Sequence, residues 1–204
     1  MTKPVVRAVL LLGPTGAGKT PFGEYLEKRS LDGRKCFHFD FGHQLRAISA
    51  CDCPPEGFDG KEHSFIRDVL DKGVLLEREH FPLAGKIVNS FLRRCRFAGG
   101  DTLVLNGLPR HVEQARDMDE MVAIESLIVL ECNAEDVRDR VRSNVGGDRT
   151  DRSDDSIEMV QKKLEIYKIR TAPLIDYYAD KGCSIVRIEV LRGSTAEDMY
   201  SNLF

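Results

Sequence analysis

Short apolar runs alternate with longer amphipathic segments along the whole chain. The apolar runs predict five strands, at residues 5–12, 35–40, 102–106, 126–131 and 184–190. Between them, apolar residues recur three and four positions apart, which is the spacing of one helix face. Because strands that alternate with helices are typical of α/β folds, we expect a five-stranded parallel sheet flanked by helices in three layers, α/β/α.

The segment between the second and third strands contains no predicted strand. Its apolar spacing predicts helices over residues 44–50, 64–72 and 81–95, with a loop rich in proline and glycine at 51–60. An insertion of this length between neighbouring strands often forms a lobe over an active site.

A polar stretch with two glycines follows the fourth strand, and a long amphipathic helix comes after it. Asp155 and Glu158 predict a capping box at the start of this helix, and Pro173 predicts a kink. The apolar face is expected to lie in the core and consists of Ile157, Val160, Leu164, Tyr167, Thr171, Leu174 and Tyr178.

With 204 residues, 42% of them hydrophobic and 31% charged, the chain is long enough for one well-buried core. We expect a single domain, residues 1–204, in three parts. These are a core at 1–40, 98–143 and 153–204, an inserted helical lobe at 41–97, and a short polar loop at 144–152, which the resemblance described below implies is a lid.

The formal net charge of −3 provides no basic field of the kind that binds a nucleic-acid backbone, so no nucleic-acid polymer is expected as a partner. The first apolar run is too short to span a bilayer and contains Arg7, so no membrane association is expected. The six cysteines are too few for a disulfide scaffold, and free thiols are the default. These features predict a cytoplasmic protein, and a monomer is expected.

Cys51 and Cys53 lie near His43 and His63 in the sequence, which raises the question of a zinc or redox site. Their spacing is not that of a C-x₂-C motif, and no second cysteine pair follows. Metal binding at this pair is therefore not favoured.

A phosphate-binding loop follows the first predicted strand directly. Two glycines four residues apart let consecutive backbone N–H groups point at a polyphosphate, the following lysine reaches its β- and γ-phosphates, and the hydroxyl after it can ligate Mg²⁺. Pro21 is compatible with the first turn of the next helix, where no N–H is needed. The predicted ATP-binding residues are Gly13, Pro14, Thr15, Gly16, Ala17, Gly18, Lys19 and Thr20.

Ligands of open α/β sheets bind at the carboxyl ends of the strands, so this loop should meet residues 40–46 and 106–114. Together these stretches resemble the adenylate kinase and wider nucleoside monophosphate kinase family of P-loop proteins, over nearly the full chain. The motifs that carry the resemblance are the phosphate loop, Gly42-His43-Gln44-Leu45-Arg46, Asn106-Gly107-Leu108-Pro109-Arg110 with Gln114-Ala115, and Arg152-Ser153-Asp154-Asp155 with the long helix after it.

The resemblance implies transfer of the γ-phosphoryl group of MgATP to a nucleoside monophosphate, preferably AMP, giving two diphosphates. Lys19, Arg140 and Arg152 would surround the exchanged phosphates, and Arg110 is the fourth expected catalytic residue. Such a transfer brings two anions together, so catalysis is positioning and charge neutralisation. By contrast, Arg138 and Arg142 are interpreted as a solvated helix face.

The acceptor nucleotide, on the same resemblance, would be bound by residues from the second and third strand ends. Arg46 and Arg110 would bind its phosphate, Gln114 would hydrogen-bond a purine base, and Gly107 and Phe41 would complete the site. Phe41 stands where many adenylate kinases have Thr, and it either stacks on the base or fills space.

Mg²⁺ is the expected cofactor, with Thr20 as its ligand and Asn106 or Asp40 acting through water. Asn106 replaces an aspartate that usually orients metal-bound water in the family. The short lid lacks the cysteines that bind zinc in some relatives, so no structural zinc is expected.

Further departures from the family pattern are His43 for Asp, and Asn144 and Lys163 for arginines. They leave two other hypotheses open. Asp40 at the end of the second strand is also compatible with a small-metabolite kinase of the phosphate-loop superfamily. Asn106, Asn144 and Lys163 are compatible with a nucleotide-binding module that has lost its catalytic rate.

Overall fold

A computed structural model describes residues 6–73, 76–148 and 157–203. Within these ranges the chain forms one five-stranded, all-parallel sheet in the order β2-β3-β1-β4-β5. The expected fold class is confirmed. The strands are β1 (Val6–Leu12), β2 (Cys36–Asp40), β3 (Thr102–Asn106), β4 (Val122–Glu131) and β5 (Ser184–Glu189).

Helices cover both faces of the sheet. They are α1 (Lys19–Arg29), α2 (Phe41–Ser49), α3 (Gly60–Lys72), α4 (Phe81–Arg94), α5 (Val112–Met118), α6 (Ala134–Ser143), α7 (Ile157–Ile166), α8 (Leu174–Asp180) and α9 (Ala196–Ser201), with a short 3₁₀ turn at Arg78–His80. No helix in the described ranges is both long enough and apolar enough to cross a membrane.

Residues 8–12 of the central strand β1 are buried, and their side chains point to both faces of the sheet, which explains the unbroken apolar run that follows Arg7. Val9 and Leu11 belong to a core cluster with Phe22 of α1. Leu10 and Leu12 belong to a larger cluster on the opposite face of the sheet. Because side chains alternate between the two faces of a strand, β1 contributes residues to two separate core clusters.

Strand β4 is longer than the sequence pattern predicts, because it begins at Val122 and not at residue 126. Glu125 interrupts the apolar run and is solvent-exposed, within 4 Å of both Arg7 and Arg34. The register against β1 shifts at this point, between Ala8 and Val9. The bulge turns the charged Glu125 towards solvent and interrupts the apolar pattern, so the first part of β4 could not be recognised from the sequence.

Two helices of the insertion begin earlier than their apolar spacing predicts. Helix α2 starts at Phe41 because the Asp40 carboxylate accepts a hydrogen bond from the His43 amide. Helix α3 starts at Gly60 because Asp59 and Glu62 form a capping box. In both cases the cap, and not the first apolar residue, sets the start.

Helix α4 packs directly on the sheet, although it lies within the predicted lobe 41–97. The Phe91 ring on α4 meets the Phe39 ring of β2 edge to face, with centroids 5.2 Å apart. The division into core, lobe and lid stays a prediction.

The long helix near the end of the chain is not a simple kinked helix. A five-residue π-helical turn, Tyr167–Thr171, separates α7 from α8 and places Thr171 in the interior. Val160, Leu174 and Tyr178 of the predicted apolar face are buried, whereas Leu164 and Tyr167 are partly exposed. The predicted capping box lies outside the described residues, since Asp155 is not among them.

Candidate active site

The phosphate loop lies between the end of β1 and the first turn of α1, as the sequence predicts. Gly18 has φ of +92°, and a Cβ at this position would lie 2.9 Å from Nη2 of Arg140. Backbone torsion and space therefore both require glycine there. Lys19 folds back along the loop, and its Nζ donates hydrogen bonds of 2.7 Å to the carbonyl oxygens of Gly13 and Pro14.

Three polar side chains meet where the sheet ends beside this loop. Asp40 and Asn106 are paired in register at the ends of β2 and β3, and Leu11 of β1 is paired with Asn106. The Thr20 hydroxyl donates a 2.6 Å hydrogen bond to Oδ2 of Asp40, and the Asn106 amide donates one of 2.8 Å to the same oxygen. The expected convergence of the strand ends is therefore present in the structure.

The Asp40 carboxylate is ionised at neutral pH. Burial alone would raise its pKa, but hydrogen bonds from Thr20 and the His43 amide outweigh that effect. The neighbouring His38 and the positive charge of Arg46 act in the same direction, so the pKa of Asp40 lies below its usual value. The cluster thus holds a fixed negative charge beside the phosphate loop.

His38 supports this cluster from β2, and the sequence analysis did not single it out. Its ring occupies the space over Gly23 of α1, where a Cβ would come within 2.3 Å of Nε2. Burial lowers the pKa of His38 to about 4, against the opposing effect of Asp40, so the ring is neutral. Its Nε2 accepts a 3.4 Å hydrogen bond from the Asn106 amide.

One cavity of about 240 Å³ joins the phosphate loop to the expected acceptor side. Its lining includes Lys19 and Thr20 of the phosphate loop, Asp40 at the end of β2, and the two arginines Arg46 and Arg110. Apolar walls come from helices α2 and α3. The cavity therefore brings together most of the residues that the sequence assigned to the two nucleotides.

Arg110 is held in this cavity through its own backbone. The Arg110 amide donates to Oε1 of Gln114 at 2.8 Å, and its carbonyl oxygen accepts from the Thr171 hydroxyl at 2.9 Å. Burial lowers the pKa of the guanidinium, opposed by the charge of Asp40. Because the ordinary pKa of arginine lies far above neutral pH, the side chain stays charged.

Two of the predicted acceptor residues do not line the described cavity. Gln114 is 1% exposed, and its amide binds the Arg110 N–H through Oε1 and the Leu76 carbonyl through Nε2. Phe41 is 6% exposed and packs in the larger core cluster beside Phe39. The Phe41 ring thus fills space in the core, and stacking of this ring on a base stays a prediction. Gly107, with its backbone against Phe41, does line the cavity.

Arg140 lies behind the phosphate loop instead of inside the cavity. Its guanidinium is 2% exposed and donates to the carbonyl oxygens of Gly16 at 3.0 Å, and of Leu191 and Ser194 at 2.8 Å each. In this geometry the side chain ties the loop to the segment before α9. A contact of Arg140 with the exchanged phosphates stays a prediction.

Some of the remaining predicted site residues lie within the part of the chain that the structure describes, and others lie outside it. Arg152 and the second half of the lid lie outside the described residues. Arg138 and Arg142 are exposed on α6, as expected for a solvated face. Lys163 lines the cavity, and so do Asp148 and Tyr167, which the sequence analysis did not assign to a site. Tyr167 was missed because its helical spacing predicts a core residue.

The cysteine pair on the insertion is not part of a wider ligand group. Cys53 is exposed, and the Cys51 thiol donates to the Ala47 carbonyl. Across the described ranges, no three His, Cys, Asp or Glu side chains are grouped so that they could bind a metal ion.

Comparison with known proteins matches the family profile described as Adenylate kinase to residues 11–183 of this chain. The chain belongs to the adenylate kinase family. Similar proteins include the adenylate kinase of Stenotrophomonas maltophilia, 31% identical over 187 residues and covering 89% of each chain. The adenylate kinase of Haloarcula marismortui is 27% identical over 198 residues, covering 84% of each chain.

Membership in this family confirms the resemblance that the sequence motifs indicate. It also confirms the interpretation of the chain as an enzyme, a nucleotide-binding kinase of the nucleoside monophosphate class. It does not favour a small-metabolite kinase or a non-catalytic module.

Proposed function

We propose that this protein transfers the γ-phosphoryl group of ATP to AMP and releases two molecules of ADP. The observation that carries the proposal is that Lys19 and Thr20 line the same cavity as Arg46 and Arg110. A donor on the phosphate loop and an acceptor phosphate on the arginines would share one space. The choice of AMP rests on the names of the relatives.

The cationic side chains would overcome the repulsion between the two nucleotides. The Lys19 ammonium is a compact charge at the loop, whereas Arg46 and Arg110 present planar forks suited to phosphate oxygens. Because Gln114 and Thr171 hold the Arg110 backbone N–H and carbonyl, the Cα from which its side chain extends would already be in place when the acceptor binds. We therefore assign Gln114 to the acceptor site as a residue that positions Arg110.

The residues beside the loop fit Mg²⁺, the expected cofactor. Magnesium prefers hard oxygen ligands, and the Thr20 hydroxyl, which is hydrogen-bonded to the Asp40 carboxylate, would supply one. When bound, the ion neutralises charge on the phosphates during transfer. In this assignment Thr20 would contact the ion, while Asp40 and Asn106 keep the Thr20 hydroxyl in place.

The insertion and the lid would close over the bound nucleotides and exclude water, which otherwise competes with the acceptor. Residues 41–97 and 144–152 are the proposed moving parts, and Arg152 would reach the phosphates from the lid. We further propose a cytoplasmic monomer, because the net charge and the cysteine content give no sign of another location or of a polymeric partner.

A coupled assay for diphosphate formation tests the proposal. The purified protein is given MgATP with AMP, CMP, UMP or GMP, and a reaction without acceptor measures ATP hydrolysis. We expect turnover with AMP to exceed that with every other acceptor and hydrolysis alone to be slow. Preference for another monophosphate, or no turnover by a protein that binds ATP, would contradict it.

A further inference from the structure

Asp40 ends strand β2 and uses both carboxylate oxygens in defined hydrogen bonds. Oδ1 accepts from the His43 amide at 2.8 Å and caps helix α2. Oδ2 accepts from the Thr20 hydroxyl at 2.6 Å and from the Asn106 amide at 2.8 Å. The helix cap therefore decides which oxygen faces the phosphate loop.

Asn106 is oriented by three acceptors around its amide nitrogen. Nδ2 lies 2.8 Å from Oδ2 of Asp40, 3.3 Å from Oγ1 of Thr20 and 3.4 Å from Nε2 of His38. An amide oxygen in this place would face oxygens and an unprotonated ring nitrogen without a proton to share. Asn106 thus presents its donor side to Asp40 and Thr20.

Asp40 also carries a negative charge that none of the ion pairs among the described residues balances. Asp40 and Asp148 are the carboxylates among the described residues that line the cavity. None of the ion pairs within the described part of the chain includes Asp40, whose hydrogen-bond partners are a hydroxyl and two amides. A partly buried carboxylate with only neutral hydrogen-bond partners favours the arrival of a cation.

We propose that Asp40 is the positioning carboxylate of the magnesium site, and that Asn106 orients Asp40 instead of serving the cation. The proposal rests on the phosphotransfer function given above. Asp40 accepts the hydrogen bond of the Thr20 hydroxyl. The lone pairs of Thr20 Oγ1 therefore point away from Asp40, and Oγ1 becomes a more basic ligand. Magnesium retains several waters and takes few carboxylates, so one carboxylate suits it.

The first test separates metal binding from folding and catalysis. Titration calorimetry compares ATP binding in excess Mg²⁺ with ATP binding in EDTA. For Asp40→Asn we expect the gain in affinity from Mg²⁺ to fall by about 10-fold or more, and we expect MgATP itself to bind more weakly than it does to the wild type. Asparagine is as good a helix N-cap as aspartate, so helix α2 should remain intact in this variant. An unchanged Mg²⁺ gain would overturn the proposal.

Asp59→Asn is the matched control. Asp59 caps helix α3 by the same kind of hydrogen bond, from the Glu62 amide, but is exposed on the insertion. This variant should keep the full Mg²⁺ gain. An equal loss in both variants would assign the effect to helix capping and would also overturn the proposal.

The double variant Asp40→Asn/Asn106→Asp tests whether the loss in Asp40→Asn comes from the missing negative charge. Because both side chains reach Oγ1 of Thr20, a carboxylate at 106 beside an amide at 40 should restore most of the Mg²⁺ gain. Failure to restore it would trace the loss to disturbed packing and contradict the proposal. Wild-type protein that binds MgATP but does not phosphorylate AMP would refute the proposed function alone.

Discussion

The donor side of the cavity is one continuous stretch of chain, whereas its acceptor side is assembled from separate elements. Gly13–Thr20 forms the phosphate loop through its own backbone and through the return of Lys19 to the carbonyl oxygens of the loop. Arg46 lies on α2 and Arg110 follows β3, and the carbonyl of Arg110 is held by Thr171 from the π-helical turn.

This difference determines how each side responds to substitution. On the donor side, a side chain that binds phosphate contributes little to the packing of the core, so chemistry and stability are separable. On the acceptor side, Phe41 and Gln114 support the site from within the interior, so stability and acceptor binding are coupled. Substitutions at four positions test this comparison.

The largest expected effect is on the donor side. Lys19→Ala should lower kcat/KM for phosphoryl transfer by about 1,000-fold, since it removes a cation that acts on the transferring group. The thermal midpoint should stay close to that of the wild type, because Lys19 lies in the cavity lining and not in the core. Lys28→Ala, at an exposed position on the same helix, is the control. A fully active Lys19→Ala enzyme would refute the proposed role of the loop.

The acceptor side should show the opposite behaviour at Phe41. Phe41→Ala should lower the free energy of unfolding by about 3 kcal/mol, because it leaves a cavity in the larger core cluster. Phe41→Leu should cost less and should leave the ratio of AMP to CMP activity unchanged. A changed ratio in Phe41→Leu would show that the ring contacts the base after all. Urea unfolding and the acceptor assay provide the two measurements.

Arg110 tests whether geometry or charge matters more at the acceptor phosphate. Arg110→Lys keeps the charge but loses the planar fork, and we expect kcat/KM to fall by about 100-fold. Arg116→Lys, an exposed position on α5, should have no effect. If Arg110→Lys were as active as the control, a point charge would be sufficient and the clamped backbone would have no catalytic purpose.

The same comparison explains how much the sequence could predict. The glycine spacing of the phosphate loop encodes its conformation locally, so all of its residues were assigned from the sequence. The parallel sheet was predictable because β1, β2 and β3 are rich in buried apolar residues and alternate with amphipathic segments. Glu125 concealed the start of β4, since a bulge that turns a charge outward breaks the pattern.

Tertiary contacts decided what the sequence could not. Gln114 has the residue type expected for a base contact, but its amide donates to the Leu76 carbonyl, which is 38 residues away in the chain. His38 sits in an apolar strand pattern, and only the space over Gly23 explains its position. Neither contact leaves a signal in local spacing.

The smallest effect is expected for a surface ion pair that joins the insertion to the π-helical turn. Arg170 donates two hydrogen bonds to the Glu77 carboxylate, at 2.6 and 2.7 Å, and the pair lowers the pKa of Glu77. Both side chains are substantially exposed, at 33% and 45%. We therefore expect Glu77→Gln to cost less than about 1 kcal/mol of unfolding free energy at pH 7.

The pH dependence of the unfolding free energy is the control for Glu77→Gln, because only a charge effect disappears when the carboxylate is protonated. A carboxyl group with a lowered folded pKa stabilises the protein above its unfolded pKa, near 4.5, and this contribution disappears as the pH falls through the folded value. The difference between wild type and Glu77→Gln in urea unfolding should thus be largest at pH 7 and shrink below pH 4.5. A difference that stayed constant with pH would trace the effect to packing of the glutamate stem. A larger loss, with a higher KM for the acceptor, would show that this contact holds the acceptor side together.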